Sequence, residues 1–171
     1  MRAILKAIDL VCLSGATVAA IGCAAMAVML IIEVIATSFF AFSQPWAVEY
    51  SGYFLAAALF AGSGWTLGQG GHIRVNLLLQ MLQTRHLRIA DLAMTIFALG
   101  IASYVCLATI ENMLRSLELG SVSYYPSRTP IWIPQAVLAF GWLALCLGLV
   151  GRGLRLISGL PADASEQGQS E

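Results

Sequence analysis

Charged residues are scarce in this 171-residue sequence, in which Asp, Glu, Lys and Arg together make up 11% of the chain. A soluble domain carries roughly 25% charged residues, and 59% of this chain is hydrophobic, so the composition indicates a protein built for lipid. The nine basic and nine acidic residues cancel, and we expect no nucleic-acid partner. The sequence also contains no P-loop, no dinucleotide-binding glycine pattern and no internal repeat.

Residues that hold metals or cofactors are few and poorly placed for that purpose. Both histidines, His72 and His86, lie in one basic segment outside the apolar runs, which argues against axial haem ligands inside a membrane helix. The four cysteines lie inside apolar runs and form no CxxC pair, as expected of small packing residues. The sequence shows no group of polar residues of the kind that lines a catalytic cavity. We therefore expect no metal, no cofactor and no enzymatic activity.

Long apolar runs dominate the sequence and predict four membrane-spanning helices. The first run continues without a charge over residues 10–32, which is longer than the core of a signal peptide and matches the length of a membrane span. We therefore predict an all-α integral membrane domain over residues 1–158, followed by a polar, disordered cytoplasmic tail over 159–171. The four spans are placed at about 10–35, 47–68, 89–114 and 131–152.

The segment between spans two and three is too short and too polar to cross a bilayer. Residues 73–84 place polar side chains on one stripe and leucine and methionine on the rest, a pattern typical of an amphipathic helix lying flat at the cytoplasmic-side interface. The basic residues around this interfacial helix either contact lipid headgroups or only set the topology, and both interpretations stay open. They are Arg74, Arg85 and Arg88.

Small residues recur at helical spacing in the second and fourth spans. They let two helix backbones approach closely, so we predict helix packing at these positions and not a substrate path. The positions are Gly52, Ala58, Gly62, Gly141 and Gly148.

Acidic and aromatic residues mark the turn between the first two spans. Glu33 stands just past the first apolar run, where we favour a carboxylate at the interface over a buried ion-coupling group, because acids inside the membrane are costly. Trp46 suits an interfacial aromatic belt, and Glu49 suits the first turn of a helix, where the helix dipole favours an acid.

The distribution of Lys and Arg predicts the orientation. Seven basic residues fall on the side that holds both termini and the 70–88 segment, and two fall on the other side, a clear positive-inside bias. We therefore expect both termini in the cytoplasm, and the 33–49 turn and the 111–130 loop outside. The seven are Arg2, Lys6, Arg74, Arg85, Arg88, Arg152 and Arg155, and the two are Arg115 and Arg128.

Three short motifs punctuate the spans. They are Pro45-Trp46 with Glu49, then Gly70-Gly71-His72-Ile73-Arg74-Val75, and finally Pro130-Ile131-Trp132-Ile133-Pro134-Gln135 followed by Gly141. With the four spans, these motifs resemble the small membrane subunit (DctQ-like, small permease) of the tripartite ATP-independent periplasmic (TRAP) transporters, over about residues 10–155.

The resemblance implies a non-catalytic scaffold subunit of a secondary, ion-gradient-driven transporter for organic acids or similar solutes, in the bacterial inner membrane. It implies two protein partners: a large membrane subunit (DctM-like) that holds the solute and sodium sites and moves as an elevator, and a periplasmic solute-binding protein. No substrate-binding residue is then expected in this chain. Two interpretations stay open for the residues on the outer side: they contact the binding protein, or they are ordinary residues of the membrane–water interface. These residues are Trp46, Glu49 and the 111–130 loop. The alternative function is a self-contained small four-span transporter acting as a homo-oligomer.

Overall fold

The computed structural model describes residues 2–71 and 84–160, and most of these residues are helical. Within them, one isolated β-bridge, between Val122 and Pro130, is the only extended pairing. The predicted interfacial helix, apart from its last residue, and the tail from residue 161 onward lie outside the described residues. The helices are α1 (Arg2–Phe40), α2 (Ala47–Ala61), α3 (Ser63–Gly68), α4 (Thr84–Glu118) and α5 (Trp132–Ile157).

Three of these helices are long and apolar enough to cross a membrane. The candidate spans are Ala3–Phe40 in α1, Ile89–Glu118 in α4 and Trp132–Ile157 in α5. The all-α class predicted from the sequence is therefore confirmed. The predicted second span instead forms two shorter helices, α2 and α3, so the four-span count stays a prediction.

The division between α2 and α3 falls at Gly62, where the backbone departs from helical geometry. Gly62 has ψ −11°, well away from the ψ of about −42° typical of an α-helix. The Ser63 hydroxyl donates to the Phe60 carbonyl at 2.7 Å, and the Thr66 hydroxyl donates to the Gly62 carbonyl at 3.0 Å. Such bonds from side chain to backbone compete with regular helical geometry and often bend a helix. Helical hydrogen bonding resumes directly after Gly62, because the Thr66 N–H donates to the Gly62 carbonyl at 3.0 Å.

Glycine ends α3 at the point where the sequence places Gly70 and Gly71. Gly70 has φ +72°, a left-handed conformation that glycine adopts without steric cost. The Gly71 N–H donates to the Thr66 carbonyl at 2.9 Å, and the Gly70 N–H donates to the Leu67 carbonyl at 3.1 Å. This pair of bonds is the Schellman motif, which satisfies the last carbonyls of a helix.

Helix α5 is the centre of the bundle, since it packs against each of the other four described helices. A buried cluster of Leu67, Ala102 and Leu149 joins α3, α4 and α5. Glycines bring the backbones close together, because a Cβ added at Gly141 would lie 2.6 Å from the carbonyl carbon and oxygen of Phe60. The same addition at Gly64 would lie 2.6 Å from the Ala144 oxygen. Helices α2 and α3 therefore touch α5 through backbone.

Candidate functional site

A polar cluster joins the start of α2 to the loop between α4 and α5. The Glu49 side chain accepts a hydrogen bond from the Tyr53 hydroxyl at 2.7 Å and another from the Ser127 hydroxyl. Beside it, the Thr129 hydroxyl donates to the Tyr50 hydroxyl at 3.2 Å. Glu49 is only 5% exposed, and a buried carboxylate is tolerated when such donors satisfy it. The cluster, which we define as these five residues, therefore fastens the loop onto α2.

The loop itself, over residues 119–131, is folded by its own backbone bonds. The Ser123 N–H donates to the Thr129 carbonyl at 2.9 Å, and the Ile131 N–H donates to the Ser121 carbonyl at 3.1 Å. Tyr124 is fully exposed. The loop is thus an ordered platform that presents an aromatic side chain to its surroundings.

The Glu33 carboxylate orders the turn between α1 and α2. It accepts a hydrogen bond from the Ser43 hydroxyl at 2.8 Å and one from the Gln44 N–H at 3.1 Å. The carboxylate therefore uses its acceptors within the chain, next to the end of α1. This geometry fits the interpretation of Glu33 as an interface carboxylate.

Two ion pairs between Arg and Asp hold together the opposite end of the bundle. An Arg152 nitrogen lies 2.7 and 2.9 Å from the two Asp91 carboxylate oxygens, which ties α5 to α4. An Arg155 nitrogen lies 2.6 and 2.8 Å from the Asp9 oxygens, which ties α5 to α1. The Arg152 side chain is 5% exposed, whereas the Asp9 side chain is 55% exposed. Because exposed pairs contribute little, the Asp91–Arg152 pair is the more important link.

An open apolar groove of about 840 Å³ runs between α1 and α2. Its walls include Ile21, Val28 and Phe54, and Trp46 and Ser127 also line it. None of the described residues that line it is charged. The described lining of the groove therefore provides no charged side chain.

The family model described as "Tripartite ATP-independent periplasmic transporters, DctQ component" matches residues 9–159. The chain belongs to the DctQ family. The resemblance inferred from the motifs is therefore confirmed, and this DctQ-family chain is a membrane-protein component of a transporter. No curated protein and no solved structure matches the chain at a significant level.

The first family motif, Pro45 to Glu49, lies at the end of the bundle that carries the polar cluster. Pro45 forms the turn before α2, and the Trp46 ring packs edge-on against Tyr50 with ring centroids 5.9 Å apart. Glu49 points into the polar cluster and not outward.

The last motif forms the first turn of α5. Trp132 is 37% exposed, and Pro134 is half-buried. The Gln135 side-chain oxygen is buried and has no hydrogen-bond partner among residues 2–71 and 84–160.

The middle motif is described only in part. Gly70 and Gly71 form the end of α3, whereas His72 and Arg74 lie outside the described residues. Arg85 and Arg88 belong to the start of α4, but their side chains are also outside the described part of the chain. Lipid contacts at the three arginines therefore stay a prediction.

The residues predicted to pack helices have different surroundings. A Cβ added at Gly62 would lie 3.2 Å from the Ala19 Cβ, and one at Gly148 would lie 3.2 Å from the Gly64 oxygen. One at Gly52 would meet no described atom within 4 Å. Ala58 is half-buried, and Gly141 lies against Phe60 as described above.

Sequence reasoning missed the two ion pairs and the partner of Glu49. A signal for the ion pairs was present, because Asp9 and Asp91 precede apolar runs one and three, whereas Arg152 and Arg155 follow run four. Antiparallel packing of neighbouring spans brings these positions to the same end. No local signal identified Ser127, which is 78 positions away from Glu49.

Proposed function

We propose that this chain is the non-catalytic scaffold subunit of a secondary, ion-gradient-driven TRAP transporter for organic acids or similar solutes. It supports a large, elevator-type membrane subunit, while a periplasmic solute-binding protein delivers the solute. The main support for this proposal is the location of the buried charged side chains. Among the described residues, the buried charged side chains are Glu49 and Arg152, and both bond within the chain near helix ends. Neither is left in mid-membrane to bind a solute or a coupling ion.

The packing supports a static role. An elevator moves against a frame, and a frame must resist displacement of its helices. In this chain, backbone meets backbone at Gly64 and Gly141, contacts that allow close and rigid helix packing in a membrane. The polar cluster and the Asp91–Arg152 pair fix the two ends of the same bundle.

The proposed topology has four spans, with α2 and α3 together forming the second. Residues 47–68 are long enough to cross a bilayer as one slightly bent helix, since a span takes about 20 residues. Four crossings put both termini on one side, and the seven-to-two bias of basic residues assigns that side to the cytoplasm of a bacterial inner membrane. The polar cluster then faces the periplasm.

The loop over residues 119–131 is the proposed contact for the solute-binding protein. Its support is the exposed Tyr124 side chain together with the anchoring of the loop by Glu49 and Ser127. Aromatic residues are enriched at protein interfaces. Under this proposal Glu49 positions the loop, and Tyr124 touches the partner.

We propose that three basic residues contact anionic lipid on the cytoplasmic side, namely Arg74, Arg85 and Arg88. Each basic residue near such a surface contributes about 1 kcal/mol of attraction. Replacing all three with Gln is expected to reduce the anionic lipid that co-purifies with the complex and to lower its thermal stability. Unchanged lipid content and unchanged stability would leave these arginines with a topological role alone.

Co-purification tests the proposed function. The chain, tagged at its C-terminus, is expressed with and without its large membrane subunit and then solubilised in mild detergent. We expect a stable complex that contains one copy of each subunit. If the tagged chain purifies as a homo-oligomer that excludes the large subunit, the scaffold proposal fails and the alternative of a self-contained transporter gains support.

A further inference from the structure

One face of α4 points away from the rest of the bundle, and we define this outward face by Phe97, Gly100, Tyr104 and Leu107. These residues follow one another at spacings of three and four, so they share one side of the helix. The opposite side, which includes Ala102, packs against α5. Phe97, Tyr104 and Leu107 are 72%, 76% and 68% exposed, respectively.

Tyr104 lies near the middle of the apolar stretch of α4. That stretch covers residues 92–110, between Asp91 and Glu111, so its centre is residue 101, about 4–5 Å from Tyr104 along the helix axis. With a hydrocarbon core of about 30 Å, the nearer headgroups are about 10 Å farther away. Each Cα–Cβ bond tilts toward the helix N-terminus, so the Tyr104 side chain starts toward the bilayer centre and away from those headgroups.

A hydroxyl group at this depth needs a partner. Among residues 2–71 and 84–160, no hydrogen bond to the Tyr104 hydroxyl is found. Lipid tails provide no acceptor, and a polar group left unsatisfied in hydrocarbon is costly. Tyrosines that face lipid are enriched at the interfaces for the same reason. The position of Tyr104 therefore indicates contact with protein.

The surroundings of Tyr104 leave room for a helix. A Cβ added at Gly100 would meet no described atom within 4 Å, and a bare glycine beside an aromatic side chain lets another backbone approach closely. Helix α4 also has a single main neighbour, α5, whereas α1, α2 and α3 each pack against at least two described helices. The outward face of α4 is thus largely uncovered by the described helices.

We propose that the large membrane subunit packs on the outward face of α4 and that one of its transmembrane helices brings a hydrogen-bond acceptor to the Tyr104 hydroxyl. The inference rests on the proposed function, because it requires the large subunit. A second subunit is the expected occupant, since the family to which the chain belongs is one component of a multi-component transporter.

Photo-crosslinking tests the proposal in the full chain co-expressed with its large subunit. Benzoylphenylalanine is placed at position 104 in one variant and, as a control that also lies near the bilayer centre in the same helix, at Leu99, which packs against the buried cluster shared with α3 and α5. We expect an adduct with the mass of both subunits from position 104 and none from position 99. If the complex co-purifies but position 104 yields only lipid adducts, or an adduct of two copies of this chain, the inference is wrong. If the subunits do not co-purify, the proposed function is wrong, and this inference, which depends on it, is wrong as well.

The hydrogen bond is tested separately with Tyr104→Phe, which keeps the ring and removes only the hydroxyl. Interhelical hydrogen bonds in membranes average a contribution that corresponds to about threefold in an equilibrium constant. We therefore expect about threefold weaker association of the two subunits, measured in lipid nanodiscs by fluorescence dilution. Phe97→Leu, on the same face and without a polar group to lose, gives the comparison for a change in shape. Unchanged association of Tyr104→Phe would refute the acceptor at this site.

Discussion

Gly141→Ala is the substitution that tests most sharply how closely α2 and α5 pack. The new methyl group would lie 2.6 Å from the carbonyl carbon and oxygen of Phe60 and 2.9 Å from its Cβ, whereas ordinary contacts begin near 3.4 Å. Backbone atoms cannot turn aside as a flexible side chain can, so the two helices must separate by several tenths of an ångström. Overpacking of this kind typically costs about 1–3 kcal/mol.

The helix propensity of alanine partly masks this cost, because replacing glycine with alanine stabilises a helix by about 1 kcal/mol. Gly153→Ala in the same helix provides the matched control. Its methyl group would meet no described atom within 4 Å, so it gains propensity without a clash. The difference between the two variants therefore isolates the clash, and we expect it to be about 1–3 kcal/mol.

Reversible unfolding by SDS in mixed micelles, followed by circular dichroism, measures this difference. Gly141→Ala is expected to unfold at a lower SDS fraction than Gly153→Ala. If the two variants unfold at the same SDS fraction, Gly141 does not set the separation of α2 and α5, and the reasoning from backbone contact is refuted.

Two further predictions concern the ends of the bundle. Asp91→Asn should destabilise the chain by up to about 3 kcal/mol, because it removes a carboxylate that pairs with a buried guanidinium, whereas Asp9→Asn, in the more exposed pair, should cost less than about 1 kcal/mol. The same SDS titration checks both, and equal losses would contradict the ranking of the two pairs. Glu49→Ala should free the loop over residues 119–131 by leaving the Tyr53 and Ser127 hydroxyls without their acceptor, at a cost of about 1–3 kcal/mol. Faster amide hydrogen exchange confined to that loop is expected, and exchange at the wild-type rate would show that Glu49 does not hold it.

The helices could largely be anticipated from the sequence, because lipid imposes a simple requirement. The run without charge over residues 10–32 fits inside α1, and the paired glycines at 70 and 71 form the end of α3. The break at Gly62 was not anticipated. It coincides with the Ser63 and Thr66 hydroxyls bonding to nearby carbonyls, and hydropathy gives no information on such local bonds.

The polar contacts were harder to anticipate, because they join residues that are distant in the sequence. Glu49 was predicted as an acid in the first turn of a helix, which is where α2 carries it. Its burial against Ser127 depends on how the later loop folds back over α2. The link between Asp91 and Arg152 likewise depends on which helices become neighbours, information that no single span contains.

Reconstitution in liposomes tests whether this chain supports transport without carrying the solute itself. Vesicles contain this chain alone, the large subunit alone or both. Uptake of a radiolabelled organic acid that the binding protein binds is then measured under an imposed sodium gradient, with the binding protein outside. We predict uptake only when both membrane subunits and the binding protein are present. Gradient-driven uptake by vesicles that contain this chain alone would show that the chain carries the solute and is not a scaffold.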